Sequence, residues 1–369
     1  VVDVSLSAAA SGLPLFFLRD GFLPSPPTVD VRRIQIRSRD FNERSPYSQQ
    51  ISFGPQFLLT NDLSVDVSFV GNYNRKIRKL RNINQGRITT PGVGPVVFAF
   101  PDFCLNPATS SCAFVQFLGT DGTANYNSLQ ISANQRFSRG LTFNAVYTLG
   151  KGLGNVTDNL SAGLTGGFPV TPQSVHNLAA DYGRLVFDQR HRFVLNWVYE
   201  LPFGPGQAYL KTGPAARLLG DWQVNGIVSY TSGAPLTITA PDRSSTGGGH
   251  QSRANCVGNP QPSGFTRTLT AYFDQSAFAA PGNFTHGSCG VGTLSSWPYH
   301  NWDLSLFRKF RFTERHSLEF RAEFFNVWNM PQFAGPDTNR ASGTFGRTSS
   351  LRNPERAARE IQLGLKLYF

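Results

Sequence analysis

Residues 360–369 read EIQLGLKLYF, from Glu360 to Phe369. Every second residue is apolar. An extended chain therefore carries Ile361, Leu363, Leu365, Leu367 and Phe369 on one face, and Glu360, Gln362, Gly364, Lys366 and Tyr368 on the other. The alternation holds up to the last residue, where most chains fray. Taken alone, this strand favours the half-buried edge of a soluble sheet, so the remainder of the sequence has to decide.

The same period of two recurs in Tyr47–Leu58, Asp62–Tyr73, Ala124–Phe137, Leu141–Leu149, Gln189–Leu201, Trp222–Thr231, Tyr299–Phe312 and Ser317–Val327. With the terminal stretch these make nine expected strands of about ten residues each, and no segment keeps a helical period. Three connections are tight: 59–61, 138–140 and 313–316. Four are long, polar and rich in Gly, Pro and Asn: 74–123, 150–188, 232–298 and 329–359. Structureless loops of that length are uncommon in compact soluble domains. Tight and long connections alternating along antiparallel strands are the pattern of an outer-membrane β-barrel. The stretch Pro202–Asp221 departs from it, being long for the tight side, and its Ala215–Leu219 is expected to form one helical turn.

Lipid imposes the same conclusion. A strand there must pair both backbone edges, so the sheet must close, with an apolar outside and a polar lumen. In Ser317–Val327, Glu319, Arg321 and Glu323 fall on one face and Leu318, Phe320, Ala322 and Phe324 on the other. Three charges on one strand suit a wet or plugged lumen, and the three are expected to face it. Tyr147, Tyr199, Tyr230, Trp302 and Phe312 lie near strand ends, where interfacial aromatic girdles form. Pro55 removes a ladder donor, which points to a bulge. Arg308 falls on the apolar face near a strand end, from which it is expected to snorkel to water.

Composition narrows the function classes. The 369 residues include 31 Phe, 11 Tyr, 5 Trp, 36 Gly and 24 Pro, and the net charge is +11. No basic helix or stripe accompanies that charge, so nucleic acid is not an expected partner. The densest run, Arg75–Arg81 (RKIRKLR), reads as a basic loop near a charged membrane surface. No apolar run reaches the length of a membrane helix. The chain opens on VVDVSLSAAA without Met or a signal peptide, as a mature exported chain or a fragment would. A phosphate loop and a nucleophile elbow are both missing, and the six His are scattered. Neither an enzyme nor a cofactor is expected. Cys104 and Cys112 share one long loop, and Cys256 and Cys289 share another. Pairing within loops suits disulfides in an oxidising compartment. A metal site built from His250, Cys256, His286 and Cys289 is the alternative.

Several ordered motifs carry a family resemblance: SPYSQQ at Ser45–Gln50, DVSFVGN, DQRHRFVLNWVYELPFG, DWQVNGIVSYTSGAPLTI, EFFNVWNMPQF and TFGRTSS before the last strand. From about Ser45 to Phe369 the chain resembles the C-terminal half of a TonB-dependent receptor barrel, and it is similar to the Oar-like type. The resemblance implies a Gram-negative outer-membrane barrel of about 22 strands, plugged by an N-terminal domain. Residues 47–369 are then its C-terminal nine or ten strands, and residues 1–46 an external remnant. The implied partners are outer-membrane lipid and lipopolysaccharide, TonB through the plug region, and an external substrate. The barrel-assembly machinery is also implied, because the family is handed to it through a last strand like Ile361, Leu363, Leu365, Leu367 and Phe369.

Two function classes stay open. One is energy-coupled uptake of a siderophore, glycan, peptide or cobalamin, and the other is surface structure or adhesion. Nine strands with the first and last both descending cannot close antiparallel. The fold is therefore expected to be an open sheet, unless Val29–Ile36 supplies a tenth strand.

Overall fold

Alternating residues form strands that pair with their sequence neighbours, and along the main path of the sheet they do so without a crossover. A computed structural model describes residues 36–106, 111–112, 115–156, 172–247, 252–313, 315–354 and 357–369. Its principal strands, apart from short two- and three-residue pairs within the loops, are β1 (Ile36–Arg39), β2 (Tyr47–Phe53), β3 (Gln56–Leu58), β4 (Leu63–Asn82), β5 (Val115–Ser138), β6 (Leu141–Gly154), β7 (His191–Glu200), β8 (Trp222–Thr231), β9 (Tyr299–Arg311), β10 (Ser317–Phe325) and β11 (Glu360–Tyr368). The order is β2–β4–β5–β6–β7–β8–β9–β10–β11, and β3 extends β2 along β4. Every neighbouring pair along this path is antiparallel.

Register carries the apolar face across the whole sheet. One lateral row runs Leu63, Gln135, Phe143, Trp197, Gly226, Leu304, Phe324, Ile361. A row on the opposite face runs Thr142, Val198, Asn225, Ser305, Glu323, Gln362. A one-residue slip anywhere would exchange the two faces, so the pattern pins the register. At Gly226 an added Cβ would lie 2.4 Å from the Trp197 ring, so the indole covers the bare glycine backbone. Between β5 and β6 the turn is Arg139-Gly140, both at positive φ, the two-residue geometry that matches the twist of a hairpin.

The two edges are β2/β3 and β11, and they run in the same direction. Among the described residues nothing pairs with the outer side of either, and the sheet is open. Strand β1 pairs in parallel with Val115–Leu118 and not with β11. A tenth closing strand is therefore not formed by Ile36, and residues 29–35 lie outside the described residues.

Four sequence expectations need amending. First, Pro55 makes no bulge. Phe53 opposite Phe69 and Gln56 opposite Asp66 belong to one register, and Val67 N–H donates to the Pro55 carbonyl at 3.0 Å. Its missing donor costs one ladder bond, which an edge strand tolerates. Second, β4 and β5 run past Tyr73 and Ala124 as a long ribbon, Asn74–Asn82 against Val115–Thr123. Third, the basic run Arg75–Arg81 is consequently strand and not loop. Fourth, Arg308 does not snorkel. It is 7% exposed, with Nη1 donating at 2.5 Å to the Leu218 carbonyl and Nη2 to that of Arg217. Those carbonyls end helix α1 (Pro214–Leu219), which opens on Pro at its first turn and matches the expected helical turn. The guanidinium also stacks over Trp222 and Phe310.

Candidate functional site

The long connections gather at one end of the sheet, and they have a core of their own. Loops 232–298 and 326–359 bury Ile238, Tyr272, Phe273, Phe278, Leu294 and Phe345 together. Phe273 meets Phe278 and Phe345 edge-on at ring centroids 5.3 and 5.0 Å apart, and Tyr272 meets Trp297 at 4.8 Å. The Tyr272 hydroxyl donates to the Ser295 carbonyl at 2.6 Å. Burial pushes its pKa up, with Arg267 pulling back. Two disulfides lie among the loops, Cys104–Cys112 and Cys256–Cys289, as the pairing within loops predicted. The second uses both sulfurs of the alternative metal set, which therefore cannot ligate. His250 lies outside the described residues.

Amide side chains stitch the loops to one another. Gln85 accepts from the Val175 N–H at 2.7 Å and donates to the Gln173 carbonyl at 2.8 Å. Gln173 in turn donates to the Gly287 carbonyl and accepts from the Arg253 N–H, at 2.9 and 2.8 Å. Arg253, 4% exposed, donates from Nη1 to Asp181, from Nε to the Cys289 carbonyl at 2.7 Å and from Nη2 to the Ala180 carbonyl at 3.1 Å. All its donor nitrogens are engaged, and Asp181 is neutralised.

Where these loops meet the β4 ribbon they line a partly open cavity of about 310 Å³. Its polar wall includes Lys79, Gln173, Asp181, Arg253 and Thr237, and its apolar wall Pro172, Val186, Leu236 and Val291. Lys79 reaches it through a bulge. Lys76 has φ 54°, and the β4–β5 register shifts between Asn74 and Ile77. The extra residue turns Lys79 from the outer face to the inner one. Lys79 is 2% exposed, and its Nζ has no hydrogen-bond partner among the described residues. Burial lowers its pKa, while Asp181 and Asp121 pull it back up. The acidic neighbours are engaged in ion pairs, although Oδ1 of Asp121 has no hydrogen-bond partner among the described residues. Arg81 holds Asp121 at 2.6 Å, and Arg184 holds Asp188 at 2.7 Å.

The residues singled out from sequence occupy other places. Glu319, Arg321 and Glu323 lie on the polar face opposite Lys366, Gly364 and Gln362. Arg321 pairs with Glu319, which also accepts from the Tyr368 hydroxyl at 3.0 Å. Glu323 lines a groove of about 720 Å³ with Asn134, Asn144, Asn196 and Asp303. Ile361, Leu363, Leu365, Leu367 and Phe369 are all more than half exposed on the apolar face. Sequence reasoning missed the Lys79 cavity entirely. The available signal was the crowding of Tyr272, Phe273, Phe278, Trp297 and Phe345 in Gly/Pro-rich loops, which forecasts loops that pack.

The family described as outer membrane beta barrel domain matches residues 2–362. No curated protein matches the chain. The outer membrane transporter YddB from Escherichia coli is similar over 91% of this chain and 34% of its own, at 11% identity and TM-score 0.46. The FrpB iron transporter from Neisseria meningitidis (F3-3 variant) covers 90% and 33%, at 11% identity and TM-score 0.38. The siderophore receptor PirA from Acinetobacter baumannii covers 88% and 32%, at 9% identity and TM-score 0.39. The chain thus spans about a third of the length of the solved structures it matches.

Proposed function

The chain belongs to the outer membrane beta barrel domain family and resides in the outer membrane, and from that premise we propose that it is the C-terminal part of a larger, plugged receptor barrel. That barrel is of the Oar-like, TonB-coupled type and takes up an external substrate. The observation that carries this reading is the loop-end cavity. Four external segments converge on a buried cation that has no hydrogen-bond partner among the described residues, above a polar sheet face. A scaffold serving only structure has no use for such a group, because an unpaired buried charge is costly. The open edges support the partial-barrel element, since each leaves backbone groups that lipid cannot satisfy. Glu319, Arg321 and Glu323 then face the lumen against the plug. Ile361, Leu363, Leu365, Leu367 and Phe369 present the chain to the barrel-assembly machinery, and lipopolysaccharide surrounds the external rim. The protein acts as a receptor and not as an enzyme.

The test is substrate uptake by cells carrying the full-length protein, with and without a functional TonB. Uptake lost in both the TonB-deficient cells and cells lacking external loop 232–298 supports the proposal. Cells that bind one another or a surface through the loops, with uptake unaffected by either change, would replace it with the adhesion reading.

A further inference from the structure

We propose that the loop-end cavity takes the carboxylate of a small, largely apolar monocarboxylic ligand, with the Lys79 ammonium as its counter-ion. This rests on the reading that the cavity binds the external substrate, and it names the chemical class.

Charge is the first argument. The ionisable residues lining the cavity are Lys79, Asp181 and Arg253. Arg253 and Asp181 neutralise each other and spend their hydrogen bonds on each other and on nearby backbone. One positive charge is left over, on Lys79. A single carboxylate balances it, whereas a phosphate dianion would add a negative charge that nothing in the wall meets. Desolvation is the second argument. A buried ammonium without an acceptor is unfavourable unless something supplies one, and a charge-assisted hydrogen bond to a carboxylate is the strong remedy. A second donor is available nearby. The Thr237 hydroxyl accepts from the Gly292 N–H at 3.0 Å, which leaves its own proton to give.

The opposite wall sets the rest of the ligand. Pro172, Val186, Pro235, Leu236 and Val291 offer hydrocarbon and few donors, which disfavours a polyhydroxylated acid sugar. About 310 Å³ lies at the small end of ligand sites, enough for a short branched acid or one terminal residue of a peptide. Two sources share this chemistry: the C-terminus of a peptide ending in an apolar residue, and a free branched-chain acid.

Calorimetric titration of the full-length protein in detergent tests the inference, with N-acetyl-leucine, N-acetyl-leucinamide, isovalerate and inorganic phosphate as probes. The acid is expected to saturate the protein and the amide to bind at least about tenfold more weakly, the span of one charge-assisted hydrogen bond. Lys79→Met is expected to remove that preference, and Lys79→Arg to retain part of it. Isovalerate binding as tightly as N-acetyl-leucine assigns the free acid as source, and preference for N-acetyl-leucine assigns the peptide terminus. Equal affinity for acid and amide, a Lys79→Met variant with unchanged preference, or tighter binding of phosphate overturns the proposal. A fold-independent check is anomalous density from 2-bromo-3-methylbutyrate bound to the unsubstituted protein. Bromine in the cavity supports the assignment. A lone water between Lys79 and the free oxygen of Asp121 at saturating acid overturns it. Carboxylate binding without TonB-dependent uptake would leave this assignment standing and remove only the transport reading, and uptake without carboxylate binding would do the reverse.

Discussion

In β11, Leu363 and Leu365 are 68% and 70% exposed, whereas Tyr272 and Phe273 in the long loops are wholly buried. Both pairs are large hydrophobic side chains in one chain. The sheet has no shared apolar interior: its hydrocarbon faces outward across every strand, and its polar side chains face inward. The loop cap follows ordinary aqueous rules, with aromatic rings inside, two disulfides and an ion pair buried among the loops. The difference lies in the solvent. Lipid rewards an apolar exterior and demands complete backbone pairing. Water rewards burial of the same groups at roughly 25 cal/mol per Å². Each region would fail in the other's surroundings.

The comparison breaks first at assembly. Deleting Phe369 is expected to abolish outer-membrane accumulation of the full-length protein while leaving the cap's chemistry intact. Membrane yield and heat-modifiable migration measure it, and normal yield would refute the assembly role of the terminal strand.

Next comes the cap alone. Arg253→Met strands the Asp181 carboxylate and the Cys289 carbonyl in a buried setting. It is expected to destabilise the cap by about 3–5 kcal/mol, the range for breaking a buried pair on one side. Limited proteolysis should then cut loops 172–190 and 252–298 while the strands stay protected. Strands that become equally sensitive would show that cap and sheet unfold as one unit.

Replacing Cys256 and Cys289 together by Ser opens a loop 33 residues apart in sequence. The expected loss is about 3–4 kcal/mol by loop-closure reasoning, again confined to the cap. Urea titration of a loop-located fluorophore reads it.

On the sheet, Leu365→Arg puts a charge on the lipid face and is expected to cost about 2–4 kcal/mol at mid-depth. Gln362→Arg, on the polar face, is expected to stay within about 0.5 kcal/mol. Unfolding in a lipid bilayer separates them, and equal costs would contradict the face assignment.

The smallest effect sharpens the boundary between the two regions. Burial lowers the pKa of Lys79 below 10.5, with Asp181 and Asp121 opposing and Arg81 and Arg253 adding to the shift. The folded cap then holds fewer protons than the unfolded chain between the lowered value and the ordinary one. Stability from this group therefore rises as pH climbs through that window, and its penalty is full below it. Without a ligand, Lys79→Met is expected to resist proteolysis slightly better than the parent at neutral pH, and the advantage should vanish toward pH 10.5. A variant that is less resistant at neutral pH would mean that Lys79 supports the cap.

Much of the sheet could be read from residues in isolation. Alternation assigns Leu318, Phe320, Ala322 and Phe324 to one face and Glu319, Arg321 and Glu323 to the other before any partner is known. Tight turns such as Arg139-Gly140 then force neighbours in sequence to be neighbours in space. These are local rules, with a period of two and a turn of two residues, so a linear reading captures them. The same reading overran at Pro55, where an edge position absorbs the lost donor, and stopped short along Asn74–Asn82, where largely polar residues pair on as a ribbon.

The cap was illegible for the opposite reason. Its decisive contacts join Gln85 to Gln173, Arg253 to Asp181 and Tyr272 to Ser295, and they depend on how loops far apart in sequence fold over the sheet end. Period-two patterning, together with the alternation of tight and long connections, was enough to specify an outer-membrane sheet, its two faces and its strand order, because each strand meets the same two solvents. Lys79 in the loop-end cavity and Arg308 on the α1 carbonyls followed only from packing in three dimensions. In both cases the environment of a charge is made by segments that no local pattern brings together.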